Sequence, residues 1–263
     1  MIIIGVANQK GGVGKTTTAH NLGAGLALKG YRILMIDLDP QANLTDSCQL
    51  RLKAEEPSTM QVMDGECPLK DALRPVGDKL DLLPSHLILA GADSYFAQAI
   101  RREERLYDAL EPVLAENFYQ AIILDCPPNL GLIAQNAFRV MTHLLIPVQC
   151  HYHALEGLRL MYECLERWRK AKLLRNDFRI LGLLPTFFDQ RKNICKDVLD
   201  HLRDNQGEMM LDTVIRDNVQ LAEAPSNGLD VYQHSPKSFG AQDYQTLVEE
   251  VERKLGFSKG RRK

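Results

Sequence analysis

The stretch Lys10-Gly11-Gly12-Val13-Gly14-Lys15-Thr16-Thr17 follows directly on the apolar run Ile2 to Ala7 and opens directly into the amphipathic stretch Thr16 to Lys29. A glycine-rich turn between a strand and a helix lets backbone N–H groups face inward around an anion. The helix start adds unpaired donors and the positive end of its dipole. A triphosphate fits such a cradle, built here from Gly11, Gly12, Val13 and Gly14. Lys15 is placed to set an ammonium between the β- and γ-phosphates, the Thr16 hydroxyl to enter a Mg²⁺ shell, and Thr17 to reach the α-phosphate. The strict form of this loop has glycine where Gln9 stands, so the run departs from the standard expression. Lys10 is not needed to hold a phosphate from within one subunit, and so calls for a different use.

Outward from the loop, short apolar runs alternate with longer amphipathic stretches. The runs Ile2 to Ala7, Arg32 to Leu38, Leu80 to Pro84, Ala121 to Asp125, His143 to Val148 and Ile180 to Phe187 predict strands, with a weaker one at Met210 to Ile215. Helices are predicted over Thr16 to Lys29, His86 to Asn117 with a break near Arg101 to Arg105, Leu130 to Met141, His153 to Leu174, Arg191 to Asn205 and Gln242 to Leu255. Ala19, Leu22, Leu26 and Ala27 mark the face of the first helix that packs on the sheet. The fold class is therefore α/β: a doubly wound, mostly parallel sheet of the P-loop type. One domain over residues 1–258 is expected, with Lys53 to Asp78 as an irregular excursion and 259–263 as a basic tail, either solubilising or a nucleic-acid contact.

A chain of 263 residues buries enough surface to fold without disulfides or a structural metal. Its net charge of −2 excludes a uniformly basic nucleic-acid coat, leaving only a local patch. The six cysteines form no Cys-x-x-Cys pair and read as reduced thiols of a cytoplasmic protein. No window has the apolar length of a membrane span, and no charged leader is expected at the start.

Two further strands end in carboxylates. Asp37 and Asp39 close the second strand, with Asp37 either near a Mg²⁺ water shell or a cap on the loop that follows. Asp125 closes Ala121 to Leu124 in the context of a carboxylate that holds Mg²⁺ through water, and Pro127, Pro128 and Gly131 then make a stiff turn with a pivot. An ordinary strand-ending turn is the alternative there. Phosphoryl transfer to water relies on positioning and electrostatics, so no Ser/His/Asp triad is required.

The lysine-flanked loop resembles the deviant Walker A motif of the ParA/MinD family. The resemblance continues through Asp37-Leu38-Asp39-Pro40-Gln41-Ala42-Asn43, Asp125-Cys126-Pro127-Pro128-Asn129-Leu130-Gly131, Ala154-Leu155-Glu156-Gly157-Leu158 and Glu223-Ala224-Pro225-Ser226-Asn227-Gly228, spanning essentially the whole chain. It implies an ATPase that uses ATP and Mg²⁺, with Lys10, Lys15 and Asp39 as catalytic residues and Asp39 orienting the attacking water. It also implies a homodimer formed on ATP binding, in which Lys10 reaches the phosphates bound by the other copy. Slow hydrolysis stimulated by a ParB-type partner, and base recognition near Thr186, Phe187 and Arg216 to Asn218, follow from the same resemblance.

Non-specific DNA binding is implied too, through Arg191, Lys192, Arg216 and Lys237, with nucleoid association as its consequence. Two customary arginines of the family are Asp217 and Gln220 here, and from Asp189 onward 12 basic residues face 13 acidic ones. A nucleotide-gated protein scaffold or cargo-positioning ATPase, with weak or no DNA binding, is the alternative. The MinD-like membrane branch is not expected, because Leu247 to Phe257 is acidic and its apolar stripe suits the core. Cys126 lacks the partner an iron–sulfur branch needs. Cys150, His151 and His153 lack further ligands for a metal site.

Overall fold

The computed structural model describes residues 1–53, 55–151 and 154–257. Seven strands, β1 (Ile2–Val6), β2 (Ile33–Asp37), β3 (Arg74–Gly77), β4 (Leu80–Leu83), β5 (Ala121–Asp125), β6 (His143–Gln149) and β7 (Arg179–Thr186), form one sheet in the order β3-β4-β2-β5-β1-β6-β7. All neighbours are parallel except the edge pair β3 and β4. The helices are α1 (Lys15–Leu28), α2 (Asn43–Ser47), α3 (Thr59–Asp64), α4 (Leu69–Ala72), α5 (Ala92–Tyr95), α6 (Arg105–Glu116), α7 (Leu132–Val140), α8 (Ala154–Lys170), α9 (Asn193–Gln206), α10 (Val219–Ser226), α11 (Val231–His234) and α12 (Phe239–Leu255).

Strand side chains alternate between faces, and the core divides accordingly. Ile3, Leu34, Ile36, Ile122 and Leu124 pack with α3, α6, α7 and α8; Ile4, Ile33, Met35 and Ile123 pack with α1 and α12. Central strands buried on both faces explain why their sequences are continuous apolar runs. β1 lies between β5 and β6, so the chain order reverses beside it, and a ligand crevice opens at the carboxyl ends of strands at such a point. Those ends carry Asn8, Asp37, Asp125 and Thr186.

Three expectations are corrected. Met210 to Ile215 is not a strand. It makes one isolated bridge to β7, Met210 to Leu183, while the N–H groups of Asp212 and Thr213 donate to the Glu250 carboxylate of α12 instead of to a ladder. His86 to Asn117 is not one helix: a 3-10 turn (Leu87–Gly91), α5, a second 3-10 turn (Arg102–Glu104) and α6 replace it, and the break falls at Arg101, whose φ is 55°. The excursion Lys53 to Asp78 holds α3, α4 and β3, with Met60, Val62, Met63, Leu69 and Ala72 in the core. Gln61 Oε1 accepts the N–H and hydroxyl of Ser58 and so starts α3. The short helices α10 and α11, not predicted, are capped by Asn218 and Asp230. The basic tail 259–263, Ser258 at the end of the expected domain, and His153 lie outside the described residues.

A clasp ties α2 to the end of α10. Gln49 Nε2 donates to the Asn227 carbonyl, and a Cβ on Gly228, whose φ is +65°, would sit 1.7 Å from Gln49 Cγ. Gly228→Ala is therefore expected to lose about 2 kcal/mol, from left-handed strain and overlap together. That corresponds to roughly 5 °C in Tm by calorimetry without nucleotide. An unchanged Tm would show that the clasp yields freely.

Candidate nucleotide site

The loop is fixed from below at two points before any ligand is present. Buried Asn8 donates from Nδ2 to the Pro147 carbonyl at 2.7 Å and accepts the Lys10 N–H on Oδ1 at 3.0 Å. Thr186, at the end of β7, donates its hydroxyl to the Val13 carbonyl at 3.0 Å. Between these anchors Gly12 (φ 71°) and Gly14 (φ 87°) take left-handed conformations that only glycine adopts freely, and Gly14 starts α1 without a side-chain cap on its first N–H groups. Gly11 and Gly12 are exposed and Val13 is buried. Pre-organised donors of this kind need no rearrangement to meet an anion.

Lys15 is buried, and its ammonium donates to the Lys10 carbonyl at 3.1 Å. Burial pulls its pKa down, while the nearby carboxylates of Asp125 and Asp39 pull it back up. Lys10 is half-exposed. Its backbone is spent on the loop, but among the described residues its ammonium has no hydrogen-bond or ion-pair partner.

Asp37 and Asp125 stand opposite each other in the parallel register of β2 and β5, both fully buried or nearly so. Asp37 Oδ1 accepts the Asp39 N–H, and Oδ2 accepts the Thr45 N–H and hydroxyl, so its carboxylate ties down the loop that follows β2. Burial pushes the Asp37 carboxyl up to about 6 against those hydrogen bonds. Both oxygens of Asp125 are buried, and among the described residues neither has a well-formed hydrogen bond, although the Thr16 hydroxyl stands close enough to favour the ionised carboxylate. Its pKa is raised well above the usual carboxylate range by burial first and by Asp37 next, with Thr16 and Lys15 opposing. Two buried carboxylates side by side, one of them only weakly supported by Thr16 and Lys15, are a site short of positive charge. Asp125, with Thr16 beside it, fits a Mg²⁺ held partly through water and phosphate oxygens. Asp39 lies at the wall of the same cleft, its Oδ1 accepting the Gln41 N–H.

The cleft, about 610 Å³, runs over Gly11, Lys15, Thr16 and Thr17 past Asp39 to Pro128, so the turn after β5 forms part of its wall. Phe187 and Asn218, expected near a base, line an adjoining hollow of about 200 Å³ with Thr17, Ile215 and Tyr244. Phe187 sits at φ 52° with its ring 3.5 Å from where a Cβ on Gly14 would lie, and Asn218 caps α10. Flat apolar walls with a few amides suit a purine ring.

A family model described as an AAA domain matches residues 1–180. The chromosome-partitioning ATPase Soj of Thermus thermophilus is 42% identical over 248 residues, covering 94% of each chain. The chromosome partitioning protein ParA of Caulobacter vibrioides is 38% identical over 250 residues, covering 95% of this chain and 93% of its own. The chain belongs to the ParA/Soj-type ATPases. Among solved structures, cobyrinic acid a,c-diamide synthase from Mycobacterium smegmatis, with bound ADP and magnesium, superposes with a TM-score of 0.84 at 30% identity. It covers 98% of this chain and 97% of its own.

The basic residues that the ParA/Soj resemblance assigns to DNA are not brought together as free cations. Arg216 is claimed by Asp243 through its backbone N–H and guanidinium, and its plane lies 4.1 Å from the Phe239 ring centre. Arg191 is 86% exposed along its side chain yet grips Asp189 with Nε and Nη2 at 2.9 Å each. Lys192 shares the same carboxylate at 3.7 Å. Arg191 holds the Asp189 carboxyl well below its ordinary range. Lys237 is exposed at the approach to α12.

The remaining expectations concern thiols and metals. Cys126 is fully buried, and burial pushes its thiol far up; Cys150 is pushed up to about 12. Both are poor nucleophiles and poor ligands at neutral pH. Among the described residues no cluster of three or more His, Cys, Asp or Glu side chains could hold a metal by itself. No described helix is long and apolar enough to cross a membrane, and Tyr244, Leu247, Val248 and Val251 of α12 face the core as expected. Sequence reasoning missed Asn8 as the loop's anchor and Thr45 as the partner of Asp37. The signal was a polar residue immediately after an apolar strand, and a hydroxyl eight residues beyond a buried acid.

Proposed function

We propose that this ParA/Soj-type ATPase binds ATP with Mg²⁺, pairs with a second copy around two nucleotides, and uses slow hydrolysis to release a cargo-positioning state. A ParB-type protein would accelerate that release, and segregation of a chromosome or plasmid is the reading closest to its relatives. The observation that carries the proposal is the division of labour between two lysines. Lys15 is turned into the loop, where it can touch phosphates of its own copy, while the ammonium of half-exposed Lys10, five residues earlier, has no partner among the described residues. A cation so placed can neutralise phosphate charge presented by another copy. Mg²⁺, when bound, offsets phosphate charge and polarises the γ-phosphoryl group. The chain's own part is to fix the loop through Asn8 and Thr186, hold Asp125 ready, and keep Asp39 at the wall beside the terminal phosphate.

The test is pairing in solution. With a non-hydrolysable ATP analogue and Mg²⁺ the unmodified chain should sediment as a dimer. Lys10→Ala should bind the analogue normally but dimerise about tenfold more weakly, since one cation per nucleotide is lost from the interface. Equal dimerisation of the two proteins would remove the proposal's foundation.

A second reading is favoured by the pairing of Arg191 with Asp189 and of Arg216 with Asp243: a nucleotide-gated scaffold that recruits protein and binds DNA weakly or not at all. DNA retention with ATP, ADP or no nucleotide at two salt concentrations separates them. ATP-dependent binding that falls steeply with salt supports DNA attachment; indifference under every condition supports the scaffold.

A further inference from the structure

The turn that follows Asp125 is clamped at both ends, and the two clamps differ in kind. At its start the Cys126 N–H donates to the Val6 carbonyl in the middle of the sheet. At its end the Leu132 N–H, first in α7, donates to Oδ1 of Asp93 at 3.1 Å. Gly131, the residue before α7, has no side chain to cap the helix, and a Cβ there would lie 2.7 Å from Asp93 Oδ2. Glycine at 131 is thus what lets a carboxylate from another element come close enough to act as the cap. That carboxylate suits both the first-turn N–H and the positive end of the helix dipole. The rest of α7 is tied down independently: Asn136 accepts the Leu106 N–H and donates to the Arg102 carbonyl, and Arg139 pairs with Glu104. Between the clamps lies Pro128, at the wall of the nucleotide cleft.

We infer that Asp93 is a positioning residue for ATP hydrolysis, holding Gly131–Leu132 so that the Pro127–Leu130 turn keeps its place against the nucleotide. The inference rests on the ATPase reading above and deepens it. Asp93 sits in α5, within the segment predicted as helix up to the break near Arg101, and among the described residues makes no hydrogen bond to the Gly11–Thr17 loop. Loss of its bond frees the turn at one end only. Hydrolysis then needs the turn to be re-placed at each event, while ATP binding, set by Gly11 to Thr17, stays as it was.

The experiment compares the unmodified chain, Asp93→Ala and Asp93→Asn. Three measurements are made: single-turnover hydrolysis at saturating ATP, affinity for a fluorescent ATP analogue, and amide hydrogen exchange at Leu132. Asp93→Ala should hydrolyse about fivefold more slowly, the factor expected from losing one helix cap, with analogue affinity unchanged and exchange at Leu132 faster. Asp93→Asn, which keeps Oδ1 as an acceptor, should recover most of the rate and the protection. An unchanged rate in Asp93→Ala overturns the inference. So does a fall in rate and affinity together that Asp93→Asn shares, because that pattern belongs to general destabilisation. Failure of the unmodified chain to hydrolyse ATP would instead overturn the parent reading, and this one with it.

Discussion

Lys15→Ala is expected to weaken ATP binding by about a thousandfold, because the substitution removes a charge-assisted donor to two phosphate groups and each such bond contributes roughly 1.5–3 kcal/mol. The effect is large since Lys15 is already buried in the loop before ligand arrives, so no side-chain ordering is charged against binding. Water cannot replace it well at a buried position. The apo protein should scarcely notice. Losing the ammonium relieves a buried charge, and Asp125, whose ionisation Lys15 favours, takes up a proton instead of standing alone. The two results are read in one calorimetric experiment. ATP and Mg²⁺ at about a thousand times the dissociation constant should stabilise the unmodified chain by about 4 kcal/mol, and the same concentrations should leave the Tm of Lys15→Ala nearly where it was. A normal ligand-induced shift in the variant would show that the phosphates are held elsewhere.

How the sequence reads depends on whether an interaction is local. The P-loop is legible because strand, turn and helix start are contiguous, and its chemistry is complete within residues 10 to 17. The acids Asp37 and Asp125 are legible as strand ends, and the parallel register then places them side by side. What covers them is not legible: Thr45 reaches Asp37 through a short helix that no periodicity announces, being only five residues long. The same holds for partners far apart in the chain. Glu250 takes the donors of Asp212 and Thr213 and so abolishes a predicted strand. Asp243 grips Arg216, a cation that the motif pattern counts toward DNA, through a pairing 27 residues away that no local spacing announces. Pattern reasoning also reads 87–100 as regular helix up to the break near Arg101, where the chain instead makes a 3-10 turn and α5, and the second 3-10 turn after the left-handed Arg101 packs against α7. Local consistency is thus strongest at the phosphate loop, and the misreadings gather where a distant side chain satisfies the backbone.

Asp125→Asn should abolish hydrolysis, by about a hundredfold or more, and at the same time make the nucleotide-free protein harder to melt. The first half follows from the loss of the carboxylate that fits the metal beside Thr16. The second follows from the register of β2 and β5, which forces two acids together in the core, where Thr16 and Lys15 only partly offset the burial of Asp125. The sign of its pH dependence is fixed by the direction of the shifts. Asp125 and Asp37 both titrate above their ordinary values in the folded chain, so the folded state holds extra protons, and the stability of the unmodified protein falls as pH rises from the ordinary carboxylate range, about 4, through about 6 for Asp37 and further for the more strongly raised Asp125. At acid pH a protonated aspartate and an asparagine are neutral groups of nearly the same shape, and the two proteins should melt alike. Toward neutral pH the unmodified chain bears the cost of ionising a buried acid and the variant does not. Its Tm advantage should open to about 3 °C, a shift worth roughly 1–2 kcal/mol at this size. Calorimetry without Mg²⁺ or nucleotide between acid and neutral pH measures the difference directly. If the gap between the two proteins does not widen with pH, the paired acids are not the store of strain that the site releases when a cation binds.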